Sequence, residues 1–66
     1  MMLMDDVTEL LWDGKWHSIH TIAGELNQPE QKILEVLKFC AEFNIVAFDE
    51  SGRKVKIDRK FRSLFD

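Results

Sequence analysis

A chain of 66 residues with a single cysteine, Cys40, cannot cross-link itself, so one small apolar core has to hold the whole fold. A domain of this size buries only about 60% of the surface that its unfolded chain exposes. Regularly spaced large apolar residues are therefore the first thing to trace along it. The apolar fraction of 45% and the charged fraction of 32% are those of an ordinary globular domain rather than a disordered tail. No apolar run approaches the ~18 residues of a membrane span, and the stretch from Met1 to Met4 is too short for a signal peptide. With a lone cysteine and no leader, the expectation is one domain over residues 1–66, located in the cytoplasm.

The clearest helical signal covers residues 29–43. There Ile33, Val36, Leu37, Cys40 and Phe43 recur at helical spacing and define an inward face, while Gln31, Glu35, Lys38 and Glu42 fall on the opposite one. Pro29 suits the first helical position, where its missing N–H costs nothing. Asn44 suits a left-handed stop. Upstream, Leu3, Met4, Val7, Leu10 and Leu11 form one stripe, with Asp5, Asp6 and Glu9 off it and Asp13-Gly14 ending the helix. Between these two helices, Ser18 is a good N-cap for a third carrying Ile19, Ile22, Ala23 and Leu26. Thr21 stands where a capping box would have glutamate, so that box is incomplete. Lys15-Trp16-His17 reads as a short extended piece, and Asn27-Gln28-Pro29 as a turn.

Residues 45–48 are strand-like, Asp49-Glu50-Ser51-Gly52 is turn chemistry, and residues 53–58 alternate polar and apolar. That is a β-hairpin. Residues 59–65 then place Phe61, Leu64 and Phe65 on one side of a short helix. The fold class is mainly α with a small β-hairpin (α+β), in the order α-β-α-α-β-β-α. Ile22, Leu26, Ile33, Leu37 and Val55 are expected in one core cluster.

This order and its residues resemble the winged helix-turn-helix family, in particular its compact prokaryotic and archaeal transcription-regulator type, over residues 7–57. Asp13-Gly14-Lys15-Trp16-His17-Ser18 is similar to the loop, short strand and cap before the family's second helix. Ile22-Ala23-Gly24-Glu25-Leu26-Asn27 is similar to its "hydrophobic-Ala-x-x-Leu-Gly" segment, with Asn27 at the glycine. Ile33, Leu37 and Cys40 fall where the recognition helix sends apolar residues inward, and Asn44-Ile45-Val46 resembles the exit into the wing. The resemblance implies a double-stranded DNA partner, with the third helix in the major groove and the hairpin on phosphates.

Charge divides the chain. In residues 1–44 eight acids stand against Lys15, Lys32 and Lys38, a balance of −5; in residues 45–66 six bases stand against four acids, a balance of +2. Under the DNA reading, Gln31, Lys32 and Lys38 on the third helix and Arg53, Lys54 and Lys56 on the hairpin are the nucleic-acid-binding residues. Each group has a plainer explanation. The helix residues are equally a solvated face, and cations on a hairpin guard an edge strand against pairing. Two residues depart from the family pattern. Glu35 has the wrong sign for a phosphate-lined groove, and Leu34 is an apolar residue expected to be exposed. They support the alternative of a winged-helix protein–protein interaction module that uses Leu34, Phe39 and the acidic face of the third helix.

No nucleophile motif, phosphate loop or paired-carboxylate pattern is present, so the expectation is no enzyme and no cofactor. His17, His20, Asp13 and Cys40 lack the ligand spacing of a metal site and are read as structural. Trp12 and Trp16 are read as caps on the core. Residues 1–4 with Phe61 and Phe65 leave an apolar surplus that fits a homodimer formed through the first and last helices.

Overall fold

The computed structural model describes residues 3–66; Met1 and Met2, part of the expected dimer surface, lie outside the described residues. The elements come in the expected order: α1 (Leu3–Leu11), β1 (His17–Ser18), α2 (Ile19–Leu26), α3 (Glu30–Glu42), β2 (Val46–Phe48), β3 (Lys54–Ile57) and α4 (Arg59–Ser63). The result is a mixed α+β domain with four helices and a small antiparallel sheet.

Local chemistry accounts for the element ends. Gly14, at φ 77°, lets its N–H donate back to the Leu11 carbonyl at 3.1 Å and closes α1. Ser18 caps α2, its Oγ accepting from the Thr21 N–H at 3.0 Å. The missing glutamate is partly replaced: Ser18 Oγ also donates to Thr21 Oγ1 at 2.7 Å. Asn27 and Asn44 both take the left-handed conformation, at φ 54° and 58°. After Asn44 the Ile45 N–H returns to the Cys40 carbonyl at 3.0 Å, ending α3 and aiming the chain into β2.

Both boundaries of α3 differ from expectation, β1 is His17–Ser18 rather than residues 15–17, and α4 ends at Ser63 rather than at Phe65. Pro29 is the N-cap of α3 rather than its first helical residue, with ψ 144° and a carbonyl that accepts from the Lys32 and Ile33 N–H groups. Phe43 is the C-cap, with ψ 13°, so helical phase no longer governs its side chain. It is 61% exposed and meets the Phe39 ring at a tilt of 55°, with centroids 5.0 Å apart, instead of joining the inward face.

The sheet order is β1-β3-β2, so β3 is central. Val46, Ala47 and Phe48 pair with Ile57, Lys56 and Val55; His17 and Ser18 pair with Val55 and Lys54. The pairing of β1 with β3 is not legible in the sequence. Val55 and Ile57 turn inward; Lys54 and Lys56 alternate to the outer face.

One core joins every layer. Val7 and Leu11 of α1, Ile22 of α2, Ile33, Leu37 and Cys40 of α3, and Val55 of β3 are fully buried in it. Of the five expected cluster members only Leu26 is partly buried, packing on the core's edge. Val36 is also only partly buried. Leu34, expected to be exposed, is half-buried against the core. Trp12 packs on the core and meets Phe61 and Phe65 edge-on, but Trp16 is 46% exposed and caps nothing.

Leu37 is fully buried in this core. Truncating it removes buried methyl groups and leaves a cavity, at a cost of about 2–5 kcal/mol. That is a large share of a stability on the order of 3–10 kcal/mol at this length. Leu37→Ala is therefore expected to lose most or all of its cooperative urea transition at 25 °C. Val36→Ala, half-buried, should retain one.

Candidate nucleic-acid interface

The six candidate residues fall on three surfaces, separated by the phase of α3 and by the alternation of β3. Arg53 lies just before β3, where its carbonyl accepts from the Ile19 N–H at 2.9 Å. That bond ties the end of the hairpin loop to the first turn of α2. α2 in turn packs on α3, and the result is a cleft lined by Ser18, Ile19 and His20 from the start of α2, by Glu30, Gln31 and Leu34 from α3, and by Gly52 and Arg53 from the hairpin loop. Gln31 and Arg53, 22 positions apart in the chain, thus face one space.

Lys38 lies two helical turns beyond Gln31, on the same exposed flank of α3. Lys32 does not. Its phase puts it on the other flank, with Phe39, so it is not grouped with Gln31 as expected. Lys54 is exposed on the outer face of the sheet. Lys56 is furthest from expectation: it is half-buried, with Nζ 4.7 Å from the centroid of the Trp16 ring, and it lines a separate depression with Arg59 and Arg62. An alternating strand cannot send residues 53, 54 and 56 to one side.

The hairpin loop is held by its own acid. Asp49 Oδ1 accepts from the Ser51 hydroxyl at 2.8 Å and from the Arg53 and Lys54 N–H groups, each at 3.2 Å. The Ser51 bond first, then the backbone donors, hold the Asp49 carboxyl below its ordinary range, so it stays charged and the loop stays closed. Asp13 is lowered in the same way, first by His17, whose Nε2–H donates to it at 2.9 Å, and then by the Lys15 N–H. His20 Nδ1 lies 2.8 Å from Glu30 Oε2 across the mouth of the cleft, so part of the acidity beside Gln31 has an internal partner.

These two histidine–carboxylate hydrogen bonds are the contacts within 4 Å between a basic and an acidic side chain among the described residues. No lysine or arginine there has a carboxylate at that distance. Two acids of the basic third are committed to other donors: Asp49 to its loop, and Asp58 to the Lys60 and Phe61 N–H groups as the N-cap of α4. Among the described residues no group of three or more His, Cys, Asp or Glu could hold a metal ion. Cys40 is fully buried, and burial pushes its thiol pKa up. No helix among the described residues is long and apolar enough to cross a membrane.

Sequence reasoning missed Arg59, Arg62 and the exposure of Trp16. The signal for the first two was Asp58, an N-cap residue type read there as the end of a strand. Comparisons with protein-family models, with curated proteins and with solved structures find no match for this chain.

Because the Asp49 carboxyl is depressed in the folded state, its contribution to the loop is present above the ordinary aspartate pKa and is lost as pH falls through the folded value. Amide exchange of Arg53 and Lys54 should therefore accelerate at acid pH, below the ordinary value of about 3.8. In Asp49→Ala the two amides should exchange fast at every pH, while core amides such as that of Leu37 stay protected.

Proposed function

We propose that this chain is a winged helix-turn-helix domain that binds double-stranded DNA as a small cytoplasmic transcriptional regulator, with α3 in the major groove and the β2–β3 hairpin on the phosphates. The observation that carries the reading is the cleft shared by Gln31 and Arg53. It sets an amide side chain able to donate and accept at base edges beside a free guanidinium able to meet a phosphate. A helix, a tight turn at Asn27 and a second helix followed by a three-stranded sheet support the same reading. So does the absence of carboxylate partners for the cations among the described residues. In this account the domain acts by binding and catalyses nothing.

Lys38 and Arg53 are the phosphate contacts, and Gln31 the base reader; Lys54, on the outer face of the sheet, is not among them. About two contacts at ~0.9 each give a log–log salt dependence of duplex affinity with a slope near −2. Arg53→Ala should flatten that slope by about one and weaken binding alike across sequences. Glu35→Gln should tighten binding, because it removes a like charge from the exposed face of α3 without changing shape. General surface damage would not improve affinity, so the sign of the Glu35 effect is a demanding readout. No affinity for duplex DNA at low salt, in wild type and Glu35→Gln alike, overturns the reading.

One observation favours a second function, a protein–protein interaction module. Phe39 and Phe43 are in tilted contact and 48% and 61% exposed on the flank of α3 away from the cleft. Exposed paired aromatics are interface anchors. In that case Phe39→Ala should abolish association, and Arg53→Ala should leave it intact.

DNA binding through paired half-sites calls for a homodimer. The proposal keeps the pairing through the first and last helices, where Leu64 and Phe65 remain exposed while Leu3, Met4 and Phe61 pack on the core. Sedimentation at tens of micromolar should give a dimer that Leu64→Asp with Phe65→Asp converts to a folded monomer. A wild-type monomer at that concentration removes the dimer.

A further inference from the structure

The second depression is lined by Lys56, Arg59 and Arg62 with Gly14 and Asp66, and no residue lines both it and the cleft between Gln31 and Arg53. Three cations and one acid line it, and among the described residues none of the three cations has a carboxylate within 4 Å. The arrangement is built rather than loose. Arg62 is partly buried, its Nε–H donates to the Trp12 carbonyl at 2.9 Å, and its guanidinium lies over the Trp12 ring. Lys56 is held over Trp16. Arg59 is exposed and follows directly from the Asp58 cap. Trp16, on the same side of the sheet as Lys56, keeps 46% of its surface open to solvent.

Fixed cations around a depression are complementary to closely spaced negative charges. An exposed indole beside them adds a flat aromatic face, which phosphates do not need and a stacked base does. An acidic peptide would use the charge but make no use of the part of the Trp16 ring that remains open to solvent. We infer that the outer face of the sheet, with α4, is a second site, separate from the proposed duplex interface, which binds single-stranded nucleic acid with a base on Trp16 and the flanking phosphates on Lys56, Arg59 and Arg62. Duplex DNA keeps its bases stacked inside and cannot offer one to Trp16.

The test uses a fluorescein-labelled twelve-residue oligothymidylate and fluorescence anisotropy at several salt concentrations. Three phosphate contacts at ~0.7 each predict a log–log slope near −2. Arg59→Ala, at an exposed position with no internal partner, should flatten it to about −1.4. Trp16→Ala should weaken binding by roughly 5- to 150-fold with the slope unchanged, and Trp16→Phe should recover most of the loss. Gln31→Ala and Arg53→Ala should leave this affinity as it is, which separates failure of this site from failure of the duplex reading. Polyglutamate that competes as well as the oligonucleotide, with Trp16→Ala silent, overturns the inference in favour of an acidic protein. Equal losses from Arg53→Ala and Arg59→Ala overturn it in favour of one continuous surface. No binding at low salt also overturns it.

Discussion

The pairing of β1 with β3 is the constraint on which the rest of the molecule depends. It involves only His17 and Ser18 on one side and Val55 and Lys54 on the other, extended by the Ile19 N–H bond to the Arg53 carbonyl. Without it the hairpin would be a two-stranded flap, which is marginal in water at best. With it, β3 becomes a central strand. Val55 is driven into the core, where β3 packs on α1, and the end of the hairpin loop is tied to the start of α2 by the Arg53 carbonyl. Ser18 serves both sides of this junction, as the last residue of β1 and as the cap of α2.

From that junction the two faces of the domain follow. Residues before β3 are delivered to the cleft beside α3, and outward residues within and after β3 to the far side of the sheet. The cations of the basic third are thereby split between Arg53 at one end of the strand and Lys56, Arg59 and Arg62 at the other. Asp49 and Asp58 serve as acceptors for backbone N–H groups instead of neutralising them. A net charge of −3 is therefore compatible with a local cationic surface around Lys56, Arg59 and Arg62, because charge placement rather than total charge governs what a small domain attracts.

Helical interiors were legible in the sequence because they are local. The spacing of Ile33, Leu37 and Cys40 admits one inward face, and Ser18, Asn27 and Asn44 carry their backbone preference in their own side chains. What was not legible was set by contacts across the chain or by the last residue of an element. Phe43 follows helical phase on paper but sits where the helix has ended. Leu34 is outward by phase, yet it is covered at the cleft by neighbouring elements. A two-residue strand has no periodicity to detect, so neither the central position of β3 nor the separation of Lys56 from Arg53 could be read from spacing. For the candidate site, the residue types were legible and their grouping was not: Gln31 and Arg53 meet, Lys32 lies on another flank, and Lys56 belongs to a different surface.

The central claim is that the cleft between α3 and the hairpin loop holds duplex DNA. Two-dimensional amide NMR of the domain titrated with a short duplex tests it most directly, because it reports position as well as affinity. The account predicts salt-sensitive shifts concentrated at Gln31, Leu34, Gly52 and Arg53, with little change at Phe39 and Phe43. Shifts confined to Phe39 and Phe43, or none at millimolar duplex in low salt, would contradict it.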